Sequence, residues 1–327
     1  MSTKALRDLN IIPASGLDKT IDSKGTLTKL YPENGSEFQK KTPPLCSVPA
    51  IKIDMGTTVA EIGNAEVEYI ESENLSDVPD LDACFNTLFS RLDSKDWVSV
   101  CEALNNVRQL SIYHEEKLLE ILGSVIPLIV KSLKSPRSAV CKTAIMASAD
   151  IFKAYNDKVI DSIDSLLVQL LLKSSQDKRF VCEAALAALI AMTTSVSPTL
   201  LLPKLLPYLT DKNPRIRAKA SICFSKSVPR LGTEGIKAYG IDKLLQIAAS
   251  QLSDQLPESR EAARTLAIEL QTVYVNSQAS FPRNEDSLDP MDTESWEAFC
   301  HAKLTPLRAQ AILRVTSTTS KEALVLG

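Results

Sequence analysis

From Val78 to Val275 the apolar residues recur at i, i+3, i+4 and i+7, and a polar turn interrupts them every 15 to 20 residues. This is the pattern of consecutive amphipathic helices. The spacing predicts helices that pair as 80–92 with 97–111, 115–133 with 137–154, 157–173 with 179–194, 198–209 with 214–229, and 236–252 with 258–275. Up to about residue 77 no period of 2 or 3.6 emerges, as in "YPENGSEFQKKTPPLCSVP". Residues 1–77 are therefore expected to be largely disordered, with a candidate short binding motif near Leu6 to Ile12. After Val275, "NSQASFPRNEDSLDPMDTES" has the composition of a polar linker, and "WEAFCHAKLTPLRAQAILRV" regains helical spacing with a break at Pro306. Trp296, Phe299 and Cys300 fall on one side of it. The region 276–327 is expected to be a linker followed by a helix pair capping the array, the alternative being a mobile tail.

Five letters return along the array. "VCEAL" at 100–104 is followed by "VCKTA" at 140–144 and "VCEAA" at 181–185, each just inside the second helix of a pair. "RAKAS" at 217–221 and "EAART" at 261–265 continue the series more weakly. Small residues there allow a close approach between helices. A unit of about 40 residues with two helices points to an all-α solenoid of HEAT or armadillo type, in which a hairpin buries its apolar faces only against neighbouring hairpins. The HEAT pattern places a Pro in the first helix, an Asp in the turn and an Arg beyond it. Pro203, Asp211 and Arg217 match all three spacings, and Asp254 with Arg260 repeats the last two.

Composition agrees with helices: 5% aromatic residues and 10 Gly in 327 disfavour a sheet-rich fold. The amino terminus lacks the apolar core of a signal peptide, and no run of about 18 apolar residues could span a bilayer, so an intracellular, cytoplasmic protein without membrane contact is expected. Seven Cys without a CxxC pair read as reduced, with Cys101, Cys141, Cys182 and Cys223 in apolar helical patterns. The net charge of −3 is unevenly spread. Residues 54–82 carry nine acids and no base, whereas 83–275 carry 24 bases and 19 acids. That excess is short of what nucleic-acid binders show.

Catalytic signatures are missing. His114 and His301 stand in separate segments away from Cys or acidic residues at metal-ligand spacing, and there is no GxSxG elbow, Walker loop or GxGxxG. A thiolate on an apolar helix face would be disfavoured. The expectation is a non-enzymatic protein with no cofactor or metal.

Surfaces remain. In a hairpin solenoid the turns inside the hairpins line one edge. Those turns are "DSKDW" (93–97), "KSPRS" (134–138), "SSQDKRF" (174–180), "DKNPRIR" (211–217) and "SDQLPESR" (253–260). The first four present Lys95, Lys134, Arg137, Lys178, Arg179, Lys212, Arg215 and Arg217, with Trp97 at one end. Basic side chains beside an aromatic suit an acidic macromolecule. The structural alternatives are that Arg217 and Arg260 pair with Asp211 and Asp254 to tie turns together, and that Trp97 anchors the first hairpin.

Over residues 78–275 the turns and their following helices resemble TOG domains, most closely the CLASP and crescerin type. "SKDWVSVCEALNNVRQL", "LKSPRSAVCKTAIMASADIF" and "SSQDKRFVCEAALAALIAM" are similar to the first three repeats, and "DKNPRIRAKASICFSKSVPRLG" and "LPESREAARTLAIEL" to the fourth and fifth. The resemblance implies a tubulin or microtubule contact through the turn edge and a cytoskeletal location. Trp97 matches the family's first-turn Trp, beside Lys95, and Lys178 or Arg179 its third-turn basic residue. Arg137, Lys212 and Arg215 lie in the corresponding second and fourth turns, and Arg260 in the fifth. The chain departs from the microtubule polymerases of this family in carrying one such domain and no long basic linker, so polymerase activity is not implied. The alternative is a general HEAT scaffold holding another protein, such as a kinase or phosphatase, on its concave helix face.

Overall fold

The computed structural model describes residues 69–279 and 295–325; the N-terminal unit, Met1–Gly63, and with it the candidate motif near Leu6 to Ile12, lies outside them. The described residues form helices without a strand. Five hairpins follow one another: α1 (Leu81–Leu92) with α2 (Trp97–Tyr113), α3 (Glu115–Leu133) with α4 (Ser138–Tyr155), α5 (Ile163–Lys173) with α6 (Arg179–Ser195), α7 (Pro198–Leu205) with α8 (Pro214–Ser227), and, after the short α9 (Gly232–Tyr239), α10 (Ile241–Gln251) with α11 (Pro257–Ala279). The second helices α2, α4, α6, α8 and α11 pack side by side in that order. The protein is an all-α solenoid.

The repeated phrase works as packing. Leu104, Ala144 and Ala185 are fully buried at equivalent places; the Cys141 thiol donates to the carbonyl of Leu133, the last residue of the preceding helix, at 3.4 Å, and Cys182 lies 3.4 Å from the corresponding Lys173 carbonyl but 2.7 Å from that of Gln176. Cys182 differs from the expected core position in being half-buried. Burial pushes the Cys223 and Cys300 thiols up to about 12.

Three predicted helices are broken. Asn156 adopts a positive φ of 47°, which ends α4, and a 3-10 turn over Asn156–Val159 precedes α5. Gly240, at φ 105°, splits the predicted 236–252 helix; its N–H closes α9 on Ile236, and a Cβ there would meet Asp242 Oδ1 at 3.0 Å. Past Leu205 the backbone tightens into a 3-10 turn over Leu206–Thr210, because Pro207 has no N–H to donate.

The edge opposite the turns is stitched across repeats. Asp157 accepts from the Ser197 backbone N–H at 2.6 Å and from its hydroxyl at the start of α7, and Tyr155 donates to the Glu115 carbonyl at 3.0 Å. The two Ser197 bonds hold the Asp157 carboxyl below its usual 3.8. A lowered folded pKa means the stabilisation is complete above the unfolded value and is lost as pH falls through the folded one. Asp157→Ala is therefore expected to cost about 1 kcal/mol at neutral pH, with the gap to wild type narrowing at a pH well below 3.8. Urea unfolding of both proteins at the two pH values checks this; an equal gap at both would contradict it.

Residues 69–77 correct the expected N-terminal boundary. They lie as an ordered strap across α2 and α4, with Leu75 and Val78 buried. Lys142, near the start of α4, sits 3.8 Å from the Tyr69 ring centroid at the turn side. At the far side Gln109 donates to the Ser76 carbonyl at 2.8 Å, Tyr113 donates to that of Leu75 at 2.7 Å, and His114 Nε2 meets Asp77 at 2.8 Å. Beneath the strap Arg108 Nε and Asp150 Oδ2 pair at 2.7 Å, with side chains 1% and 2% exposed. Ser72 donates to Asp150 Oδ1 at 2.6 Å and accepts from Arg108 Nη2 at 3.3 Å.

At the other end, α12 (Trp296–Lys303) and α13 (Pro306–Val325) pack on α10 and α11. Tyr274 of α11 lies 5.4 Å from Trp296 and 4.6 Å from Phe299, ring centre to ring centre, and Trp296 donates to the Thr316 hydroxyl at 3.2 Å.

Candidate functional site

Side chains close the hairpin turns locally. Asp96 accepts from the Val98 and Ser99 amides and Asn213 from the Arg215 amide, satisfying the first free N–H groups of α2 and α8. These caps fix where each second helix begins and therefore where the turn side chains project.

Adjacent turns are then joined to one another. Lys131 reaches Asp93 at 2.5 Å, and the Arg137 guanidinium lies over the Trp97 ring, 5.0 Å from its centroid. Lys178 donates to the Ser138 hydroxyl at 2.9 Å. Arg215 donates to Asp177 at 2.7 Å and to the Ser175 carbonyl at 3.2 Å. Arg217 bonds Asp254 at 2.6 Å and the Asp211 carbonyl at 2.8 Å. Five turns thus form one continuous edge, in contacts between residues 37 to 40 apart for its last three joints.

The predicted residues divide by what occupies them. Lys95, Lys134 and Lys212 are exposed and form no ion pair among the described residues. Arg137, Lys178, Arg179 and Arg215 are exposed as well but engaged. Arg179 pairs with Glu183 at 2.7 Å, and hydrogen bonds to Glu183 and Asp177 raise the Arg179 and Arg215 guanidiniums above their already high ordinary value, so both stay cationic. Trp97 is half-buried, packed against the core on one face and under Arg137. Arg260 turns back to the Asp254 and Gln255 carbonyls, each at 2.8 Å, which makes it a clamp within the fifth turn. The expected pairing of each Arg with the Asp of its own turn is corrected: Arg217 takes the carboxylate of the next turn, Asp254, and Asp211 instead accepts from the Asn213 amide at 2.7 Å.

Between the second, third and fourth turns lies a groove of about 570 Å3, lined by Pro136, Ser138, Lys173, Gln176, Lys178 and Arg215 among others. Lys173, Lys178 and Arg215 outweigh Asp177, which Arg215 holds, and leave the lining net positive, which suits carboxylates. Phe180, second residue of α6, is 43% exposed at the same edge, and Lys142 lies 6.0 Å from its ring centroid. Phe180 is not among the residues expected at the edge, although its place outside the buried register of Val181, Ala185 and Ala188 signals its exposure. Nothing in the sequence pointed to Tyr69. Among the described residues no group of His, Cys, Asp and Glu is placed to hold a metal ion, and no helix is long and apolar enough to cross a membrane.

The model of the family described as CLASP N terminal matches residues 107–325. The TOG array regulator of axonemal microtubules protein 1 of Mus musculus is 28% identical over 131 residues, spanning 40% of this chain and 7% of the relative. Its Homo sapiens counterpart is 30% identical over 107 residues, 33% of this chain and 6% of the relative. The chain thus aligns with a small part of the length of these proteins. The TOG domain structure from C. elegans Zyg9 superposes with a TM-score of 0.51 at 15% identity, covering 77% of this chain and 91% of that one. A chain solved for microtubule plus end tracking by XMAP215, CLIP-170 and EB1 gives 0.50 at 17% identity, over 75% and 94%. At these identities the superpositions establish the shared fold.

Proposed function

Since this chain belongs to the CLASP N-terminal family, we propose that it binds tubulin or the microtubule lattice through the edge formed by its hairpin turns, by association rather than catalysis, and works at the cytoskeleton. One observation carries this reading: five turns are stitched into a single edge that offers Lys95, Lys134, Arg137, Lys178, Arg179, Lys212 and Arg215 to solvent beside Trp97. The charges draw an acidic protein surface to the edge, and the half-buried aromatic ring gives it a place to dock. The relatives' names and the superposed domains point to the same partner. The buried thiols with raised pKa are the reverse of activated nucleophiles. A scaffold role on the inner helix face is opposed at the first two hairpins, where the strap already covers α2 and α4.

Binding to stabilised microtubules and to free tubulin tests the proposal, with wild type compared to Lys178→Glu/Arg179→Glu. Reversing two charges is expected to slow association about tenfold or more at low salt and much less at high salt, because the Debye length contracts from about 30 Å at 0.01 M to about 3 Å at 1 M. Both side chains are exposed, so circular dichroism should stay that of wild type. Unchanged binding by the folded double variant would remove the third turn from the interface. No binding by wild type would end the reading.

A further inference from the structure

We propose that the interface does not stop at the turns: Tyr69, Lys142 and Phe180 form a second contact patch, by which the rim of the second-helix face engages the same acidic protein surface. This rests on the turn-edge reading and extends it to residues from two further sources, the strap and the body of α4.

The patch is built from three elements. Phe180 follows directly on Lys178 and Arg179 and is 43% exposed, while its neighbour Val181 is 2% exposed. Lys142 stands one turn into α4, beyond the Ser138 hydroxyl that holds Lys178, so the patch is continuous with the third turn. Tyr69 of the strap places its ring centroid 3.8 Å from Lys142 Nζ, with the Phe180 centroid at 6.0 Å on the other helix. The ammonium is thus held by two aromatic rings and pairs with no carboxylate among the described residues. A cation held this way keeps its charge available for an incoming carboxylate, and the rings beside it supply apolar surface. Arg137 over Trp97 has the same composition one helix earlier. Two aromatic–cation pairs thus lie near the starts of α2, α4 and α6, beside the hairpin turns. The occupant that fits both is one extended acidic surface presenting carboxylates among apolar side chains, as the turn edge itself requires.

The consequence is that the strap is part of the binding footprint, not only a cover for the core. Phe180 acts through apolar burial, which salt does not screen, whereas Lys142 acts through charge. These signatures separate the patch from a merely structural role.

The test uses the full chain and tubulin at about 0.05 M and about 0.3 M salt, where screening differs by more than a factor of two in range. Phe180→Ala is expected to bind about tenfold more weakly at both salt concentrations. Lys142→Gln should weaken binding chiefly at the lower one, and Tyr69→Ala should weaken it at both. Leu200→Ala, 40% exposed at the start of α7 on the opposite edge, should bind as wild type does. Wild-type affinity in Phe180→Ala and Lys142→Gln, while Lys178→Glu/Arg179→Glu remains impaired, overturns the patch and leaves the turn edge standing. Absence of tubulin binding by wild type overturns both. A concentration-dependent dimer of the chain alone that Phe180→Ala abolishes would assign the patch to self-association and overturn it as a tubulin contact.

Discussion

Asp150→Ala is expected to lower the unfolding free energy by about 3–5 kcal/mol, the cost of stranding one member of a buried ion pair. Arg108 is fully buried on α2, and its side chain has 1% of its surface left to water. Its charge is compensated by Asp150 at 2.7 Å, with Asn105 accepting from Nη1 at 3.2 Å and Ser72 from Nη2 at 3.3 Å. Without Asp150 the guanidinium retains two neutral acceptors and no counter-charge, at a depth where water cannot replace it. Ser72→Ala removes one bond to the carboxylate and should cost less, about 1–2 kcal/mol, while loosening the strap. Arg108→Met/Asp150→Leu, which removes both charges together, should lie closer to wild type than either single change. Urea unfolding followed by circular dichroism measures all four proteins. A repeat array can lose cooperativity, so hairpins 1 and 2 of Asp150→Ala are expected to melt ahead of the rest. Asp150→Ala within about 1 kcal/mol of wild type would show that the pair is not what holds α2, α4 and the strap together.

Trp97→Ala is expected to weaken tubulin binding by about 2 kcal/mol or more, as truncation of an aromatic anchor does. The ring is half-buried, packed on the first hairpin and under Arg137, and the part that remains exposed lies at the end of the turn edge. Its removal also takes away the surface on which Arg137 rests, 5.0 Å from the ring centroid, and lets that side chain move. Two effects are therefore expected together, a lower melting temperature and weaker binding. They are separated by measuring affinity well below the melting transition and by Arg137→Ala, which leaves the ring in place and should cost only about 0.5–1 kcal/mol. If the folded Trp97→Ala protein binds like wild type, the ring is an anchor of the hairpin and nothing more.

The turn edge was largely legible because its residues are contiguous with helix starts. Lys95, Lys134, Arg137 and Lys178 fall in the polar turns between expected helices, and bases in such turns project from the edge. Partner choice was not legible. Arg217 and Arg260 share the same spacing from an Asp, yet Arg217 bonds a carboxylate 37 residues away and Arg260 folds back on carbonyls. Which acceptor lies nearest depends on how far one hairpin is rotated against the next, and no local pattern encodes that rotation.

The same division runs through the whole chain. Helical segments, hairpin pairing and the period near 40 residues follow from the sequence by itself, because each requires only that an apolar stripe be buried and that a neighbouring copy bury it. The breaks at Asn156 and Gly240 are local too, but a positive φ has to be realised before it ends a helix. What only the tertiary structure decided is the strap. Residues 69–77 have no periodicity, so nothing in them offsets the entropy of ordering an extended segment. The offset comes from elsewhere: Asp150 lies 78 residues from Ser72, Arg108 lies 36, and Tyr113 reaches Leu75 across 38. An extended backbone gains its hydrogen bonds from whatever surface it crosses, and that surface exists only once α2 and α4 have packed.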